Sequence, residues 1–297
     1  MEPVSNAACK FISKIRTADV RRMSQGLFEF DEIGVWSELK LEIVEKYGSA
    51  YTKAFKKTSS LKKYYIDGFS GPGAHVSKKD QAMVEGSPAR ALRVSPPFDG
   101  YYFIDLDRGK TDYLRSICGN RDDVHIYTAD CNEILTKELL PNIQYKKYNR
   151  ALCLLDPYAL HLDWEVMLHA GQSKAVDMFL NFPVMDMNRN AIWKDPDRVP
   201  ASGVERMNKF WGDDSRKQAA YAESAQGGLF GRDMVKQSNE QIVTAFRKRL
   251  KEIAGFAFVP EPLPMKNSNN AIVYYLFLAS QKSVAEKIIT DIFKKYR

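Results

Sequence analysis

From residue 64 onward the chain alternates between short apolar runs and stretches of helical character, and this alternation is what most narrows its fold. The runs fall at 64–67, 101–105, 124–127, 151–155 and 176–181, with helices expected over 87–94, 109–118, 132–140 and 163–171. Strands that alternate with helices over such a length form a parallel sheet with helices on both faces. After a helix at 238–254, two further runs at 256–259 and 272–279 precede a last helix at 283–295. The expected fold is α/β, a Rossmann-like doubly wound sheet of seven mostly parallel strands, the last strand antiparallel.

Upstream, Trp36, Leu39, Ile43 and Tyr47 recur at three-to-four spacing among Glu and Lys, which predicts an amphipathic helix over 34–55. Residues 1–63 are therefore read as an N-terminal helical segment packing on a domain of residues 64–297. A polar stretch at 184–237, with Trp193, Trp211 and a Gly227–Gly228 pair, reads as a mostly helical insertion. Its tryptophans are expected to anchor it rather than to stack on a base.

No apolar run approaches the ~20 residues of a membrane span, and the N-terminus lacks the apolar core of a secretory signal. The expectation is a soluble cytoplasmic protein without membrane partners. Cys9, Cys118, Cys131 and Cys153 form no C-x-x-C pair, and the four histidines, His75, His125, His161 and His169, lack metal-ligand spacing. Reduced core thiols and no metal are predicted. Forty-four basic against 37 acidic residues give a net charge of +7, compatible with a nucleic-acid partner without requiring one.

The densest local signal is YYIDGFSGPGAH at 64–75. An apolar strand ends at Asp67 and enters a turn with Gly68, Gly71 and Gly73, residues that let backbone approach a ligand closely. The G-x-G-x-x-G of dinucleotide enzymes is not met, which argues against a nicotinamide cofactor. The next strand ends in Asp105, with Asp107 two residues on, placed to accept ribose hydroxyls. The third is followed by Asp130, placed to accept from an adenine amino group. Any one of these aspartates could be a helix N-cap; three in succession at the edge where open α/β sheets bind ligands point to a cofactor site.

The fourth strand ends at Asp156-Pro157-Tyr158. A carboxylate, a rigid proline and an aromatic face suit a planar amine nucleophile: oxygens accept its hydrogens and the ring stacks on its base. Asn181-Phe182-Pro183 ends the fifth strand at the same sheet edge, either lining the acceptor pocket or making a structural turn.

The D-x-F-x-G-x-G turn, the FID strand end and the D-P-Y step resemble class I S-adenosylmethionine (SAM)-dependent methyltransferases, in the variant found among nucleic-acid amino-methyltransferases. More closely, Trp36-Ser37-Glu38-Leu39-Lys40, YIDGFSGPG, EGSPARAL, LLDPYAL, FLNFP and YYLFLASQKSVAEKI look like the three-Cys-motif partner (TcmP) proteins, over most of the chain. The resemblance implies SAM as cofactor, held by Asp67, Gly68, Phe69, Gly71 and Gly73 at its methionine part, by Asp105 and Asp107 at its ribose and by Asp130 at its adenine. Asp156, Pro157 and Tyr158 would face the acceptor. It also implies association with a protein carrying a three-cysteine motif like that of radical-SAM enzymes. Two departures stand: one proline where D-P-P-Y has two, and Phe69 where the common turn has its first glycine. The expected function is methyl transfer to a nitrogen, plausibly of a nucleic-acid base; the alternative is an accessory protein that docks the three-cysteine partner.

Overall fold

The computed structural model describes residues 28–56, 58, 60–223 and 234–297; Cys9 and the Gly227–Gly228 pair lie outside them. In chain order the elements are β1 (Glu32–Ile33), α1 (Val35–Ala54), β2 (Lys62–Asp67), β3 (Ala74–Ser77), β4 (Met83–Glu85), α2 (Ser87–Leu92), β5 (Gly100–Asp105), α3 (Arg108–Cys118) and β6 (Val124–Thr128). Next come α4 (Cys131–Glu133), which runs on as π-helix over Ile134–Leu139, then β7 (Asn149–Leu155), α5 (Trp164–Gln172), β8 (Val176–Phe182) and α6 (Val184–Asn190). The chain continues through α7 (Ala201–Trp211), α8 (Arg216–Ala220), β9 (Tyr221–Glu223), β10 (Met234–Lys236), α9 (Asn239–Glu252), β11 (Leu263–Lys266), β12 (Ile272–Ala279) and α10 (Ser283–Phe293).

The central strands are apolar on both sides because both faces of the sheet are covered. Side chains alternate along a strand. Tyr65, Leu152, Leu154 and Phe179 thus face a core shared with α1, α3 and α10, while Ile66, Cys153, Leu155, Met178 and Leu180 face one shared with α5, α7 and α9. The seven strands lie in the order β11–β12–β8–β7–β2–β5–β6. β8, β7, β2, β5 and β6 are mutually parallel, and β12 runs antiparallel to both β8 and β11. The fold is the doubly wound, mostly parallel sheet expected, and order reverses between β2 and β7, where such sheets bind ligands at the C-terminal strand ends.

Several local expectations are corrected. Residues 256–259 are not a strand: only Phe258 pairs, through mutual backbone bonds with Ser280 at 2.9 and 2.8 Å. The seventh strand is β11, which lies between the two expected runs. Leu263 and Met265 turn inward, and Pro264 is tolerated because β11 is the sheet's edge. The polar stretch after the glycine turn forms the β3–β4 hairpin, to which β1 adds in parallel. The predicted 132–140 helix is mostly π-helical. Among its described residues the 184–237 stretch carries three α-helices, a 3-10 turn at Pro196–Arg198 and also the antiparallel β9–β10 pair. Trp211 is fully buried against Phe246, ring centroids 5.3 Å apart.

Candidate functional site

Four adjacent strands, β7, β2, β5 and β6, each lead into an aspartate at the C-terminal edge: Asp156, Asp67, Asp105 and Asp130. Register brings them there. Asp67 pairs with Leu154, the second residue before Asp156, and Asp105 pairs with Thr128, the second before Asp130.

Asp105 braces the glycine turn. Its Oδ2 accepts from the Gly71 amide at 2.8 Å and its Oδ1 from the Asp107 amide at 2.9 Å. A carboxylate offers about four lone-pair sites, so capacity for two further donors remains. Gly71 has φ +60°, and a Cβ built there meets nothing within 4 Å, so the turn opens onto free space. Gly68 is closed instead, its Cβ position 2.9 Å from Leu155, and Gly73, at φ +82°, packs on Leu114. Phe69 is half-buried against the sheet core and donates its amide to Asp67 at 3.3 Å.

Asp67 is fully buried and its Oδ2 has no partner. Burial pushes its carboxyl up to about 7, opposed by hydrogen bonds from the Ser87 side chain and the Phe69 amide. Ser87 arrives there because the β3–β4 hairpin brings the chain back to the turn, where the Gly86 amide donates to the Gly73 carbonyl at 2.8 Å.

Asp107 and Asp130 do cap helices: Asp107 accepts from the Lys110 amide at 3.0 Å and Asp130 from the Asn132 amide at 2.8 Å. Both still stand at the rim. Asn132 also ties this rim to the chain after β7, accepting from the Asp163 amide at 2.8 Å.

At the acceptor side, Asp156 Oδ1 accepts from Asn181 Nδ2 at 2.6 Å, and its Oδ2 forms an ion pair with Lys40. Pro157 is buried, whereas Tyr158 is 87% exposed, its ring free beside the site. The Oδ1 of Asn181 is buried with no partner. His75, on β3, has its Nδ1 buried without a partner; burial and the nearby Lys40 hold it down at about 4, neutral at ordinary pH.

The sequence reading did not assign Lys40 a role. It lies on the buried face of α1, 5% exposed, with its ammonium 5.7 Å from the centre of the Tyr274 ring. The available signal was its place in the 37, 40, 44, 47 series, where a lysine interrupts an inward-facing stripe. Ser87 was likewise missed, being only one serine after a polar stretch.

Among the described residues no group of three metal-capable side chains converges, and no helix is long and apolar enough to cross a membrane. Burial pushes the Cys131 and Cys153 thiols far up, which makes them inert core groups.

No protein-family model matches the chain, and no curated protein matches its sequence. Among solved structures it is similar to protein LPL1258 of Legionella pneumophila, described under the family model DUF519, with a TM-score of 0.51, 10% identity, and 86% of this chain and 91% of that one covered. It also aligns with the CurJ carbon methyltransferase (TM-score 0.43, 14% identity, 90% of this chain but 59% of that one). A SAM-dependent methyltransferase of Leishmania major aligns at TM-score 0.37 and 8% identity, covering 93% and 82%. The likeness to the Legionella protein shows a shared fold; the other two are too distant to carry an argument.

Proposed function

We propose that the chain is a SAM-dependent methyltransferase acting on a nitrogen of a nucleic-acid base. The observation that carries this reading is the row of four aspartates at the ends of adjacent parallel strands, flanking an open glycine turn at the switch in strand order.

The residues present fit the cofactor. A buried carboxylate oxygen without a donor, Asp67 Oδ2, is costly and suits an ammonium group such as that of the methionine part. Gly68, Phe69, Gly71 and Gly73 would hold that part, Asp105 and Asp107 the ribose, and Asp130 the adenine. Bound there, SAM would supply a sulfonium methyl to an amine nitrogen, leaving S-adenosylhomocysteine and a proton. The chain's part is orientation. Lys40 and Asn181 fix Asp156 from two sides, so its remaining lone pairs and the free Asn181 Oδ1 can accept the amine's hydrogens. Pro157 stiffens the turn, and the exposed Tyr158 ring offers a face for the base. The proposed division is an N-terminal segment at 1–63, whose described part carries α1 and with it Lys40, on a methyltransferase-type domain at 64–297; residues 1–27 lie outside the described residues.

Calorimetric titration with SAM and with S-adenosylhomocysteine, on the wild type and on Asp105→Ala, tests the cofactor site. Saturable binding weakened at least tenfold in the variant is expected. Labelled-methyl transfer to DNA and RNA, lost in Asp156→Ala while SAM still binds, then tests the chemistry. Binding without transfer to any acceptor would point instead to an accessory role beside a three-cysteine-motif protein.

A further inference from the structure

At the opposite, N-terminal edge of the sheet lies a second, narrow cleft of about 40 Å³, partly open to solvent. Arg150, the second residue of β7, lines it and is only 9% exposed, yet its Nε has no partner and it forms no ion pair among the described residues. Its Nη1 donates to the carbonyls of Asn149 (2.7 Å) and Tyr145 (3.4 Å). Asp177, the one carboxylate lining the cleft, lies within electrostatic reach of Arg150 and Lys282, and its oxygens accept from the hydroxyls of Tyr47 at 2.6 Å and Ser280 at 2.5 Å.

More positive charge converges here. Arg150 stacks on the Tyr145 ring at 3.9 Å and the Lys282 ammonium sits 5.3 Å from the same ring's centre, so two cations bracket one ring. Lys174 adds a third cation, tethered to the Gly255 carbonyl at 2.5 Å. Lys282 is also the N-cap of the eleven-residue α10, whose first amides have no side-chain cap and point their dipole at this corner. A buried guanidinium with an unpartnered Nε, beside two lysines and a helix N-terminus, outweighs the single Asp177 carboxylate and has the chemistry of an anion site. The surface beyond it is Tyr145-Lys146-Lys147-Tyr148, all four exposed, an aromatic and basic strip of the kind on which successive bases stack.

We propose that this cleft binds a phosphate of a nucleic-acid strand, with Arg150, Lys282 and Lys174 as anion donors and the exposed Tyr148 as a stacking platform. Arg150 opens β7 and Asp156 follows its end, so six residues, roughly 20 Å, separate this site from the acceptor corner. The strand would therefore be gripped at a distance from the cofactor edge, and the inference stands whether or not that edge transfers methyl groups.

Anisotropy titration of the full chain with a short labelled single-stranded oligothymidylate, over a salt series and with inorganic phosphate as competitor, tests it. Binding should weaken with salt, and Lys282→Glu and Arg150→Gln should each weaken it about tenfold or more. Tyr148→Ala should weaken it about fivefold or more, and SAM affinity should not change in any of the three. Lys282 is exposed, so its variant keeps the test decisive if Arg150→Gln does not fold. Equal oligonucleotide binding by the wild type and a folded Lys282→Glu would overturn the proposal. So would absence of oligonucleotide binding, including the case in which inorganic phosphate alone binds.

Discussion

Lys40 and Asp156 are 116 residues apart in sequence and form an ion pair in which the lysine is 6% and the carboxylate 30% exposed. Removing one partner of a largely buried pair strands the other charge. With Asp156 partly solvated, Lys40→Met should cost about 2 kcal/mol. Asp156→Asn in the same background should recover part of that loss, and a denaturant double-mutant cycle measures the coupling; strictly additive effects would sink the pairing. Asp67 makes a separate claim about pH. Its carboxyl titrates near 3.8 when unfolded and about 7 when folded. The folded state therefore keeps a proton that the unfolded chain releases, so this contribution to stability is full below about pH 4 and is lost as pH rises toward 7. The span corresponds to a few kcal/mol. Thermal melts of Asp67→Asn should lose that slope, leaving the variant more stable than the wild type at pH 8. If Asp67 Oδ2 receives an ammonium, SAM should bind the wild type more tightly as pH rises through 7. In Asp67→Asn, binding should be weak and flat.

Among the elements, the segment from β3 to α2 decides whether Asp67 has its serine. At Gly86 a Cβ would sit 2.8 Å from the Gly73 carbonyl carbon, so Gly86→Ala must push α2 away from the glycine turn. Overpacking of this kind costs about 1–3 kcal/mol, and calorimetric melting should show it together with weaker SAM binding; unchanged values would mean the turn does not depend on this approach. None of this was readable from residues 75–90, because hairpin strands of three and four residues with a polar tip leave no periodicity to read. The β2, β5, β6, β7 and β8 strands, and the aspartates that end or follow the first four, were readable, since burial on both faces produces apolar runs that stop where the chain meets the ligand edge. β11 escaped notice because Pro264 reads as a strand breaker and is harmless only at an edge, a property of the assembled sheet. Lys40 escaped for the same kind of reason: a lysine at helical spacing reads as solvated until the sheet supplies Asp156.

The whole molecule presents two chemically different ends of one sheet. The C-terminal end concentrates carboxylates and unpartnered acceptors, Asp67 Oδ2 and Asn181 Oδ1, and so favours a ligand rich in donors. The N-terminal end concentrates Arg150, Lys174 and Lys282. Occupation of the acidic end should stabilise the fold as a unit, because the four aspartates stand at the ends of four adjacent strands, β7, β2, β5 and β6, and a ligand bridging them opposes their separation. A ligand that binds only the folded state adds RT ln(1 + [L]/Kd), about 2.7 kcal/mol at a hundredfold excess over Kd. For a chain of this size that is a rise in melting temperature of roughly 5 °C. Scanning calorimetry with SAM, S-adenosylhomocysteine and a nicotinamide dinucleotide should show this rise for the first two only. Asp105→Ala should remove it, since that change takes away the proposed ribose acceptor and the brace on Gly71 together. A rise with the dinucleotide, or one retained in Asp105→Ala, would place the ligand elsewhere and detach the row of aspartates from cofactor binding.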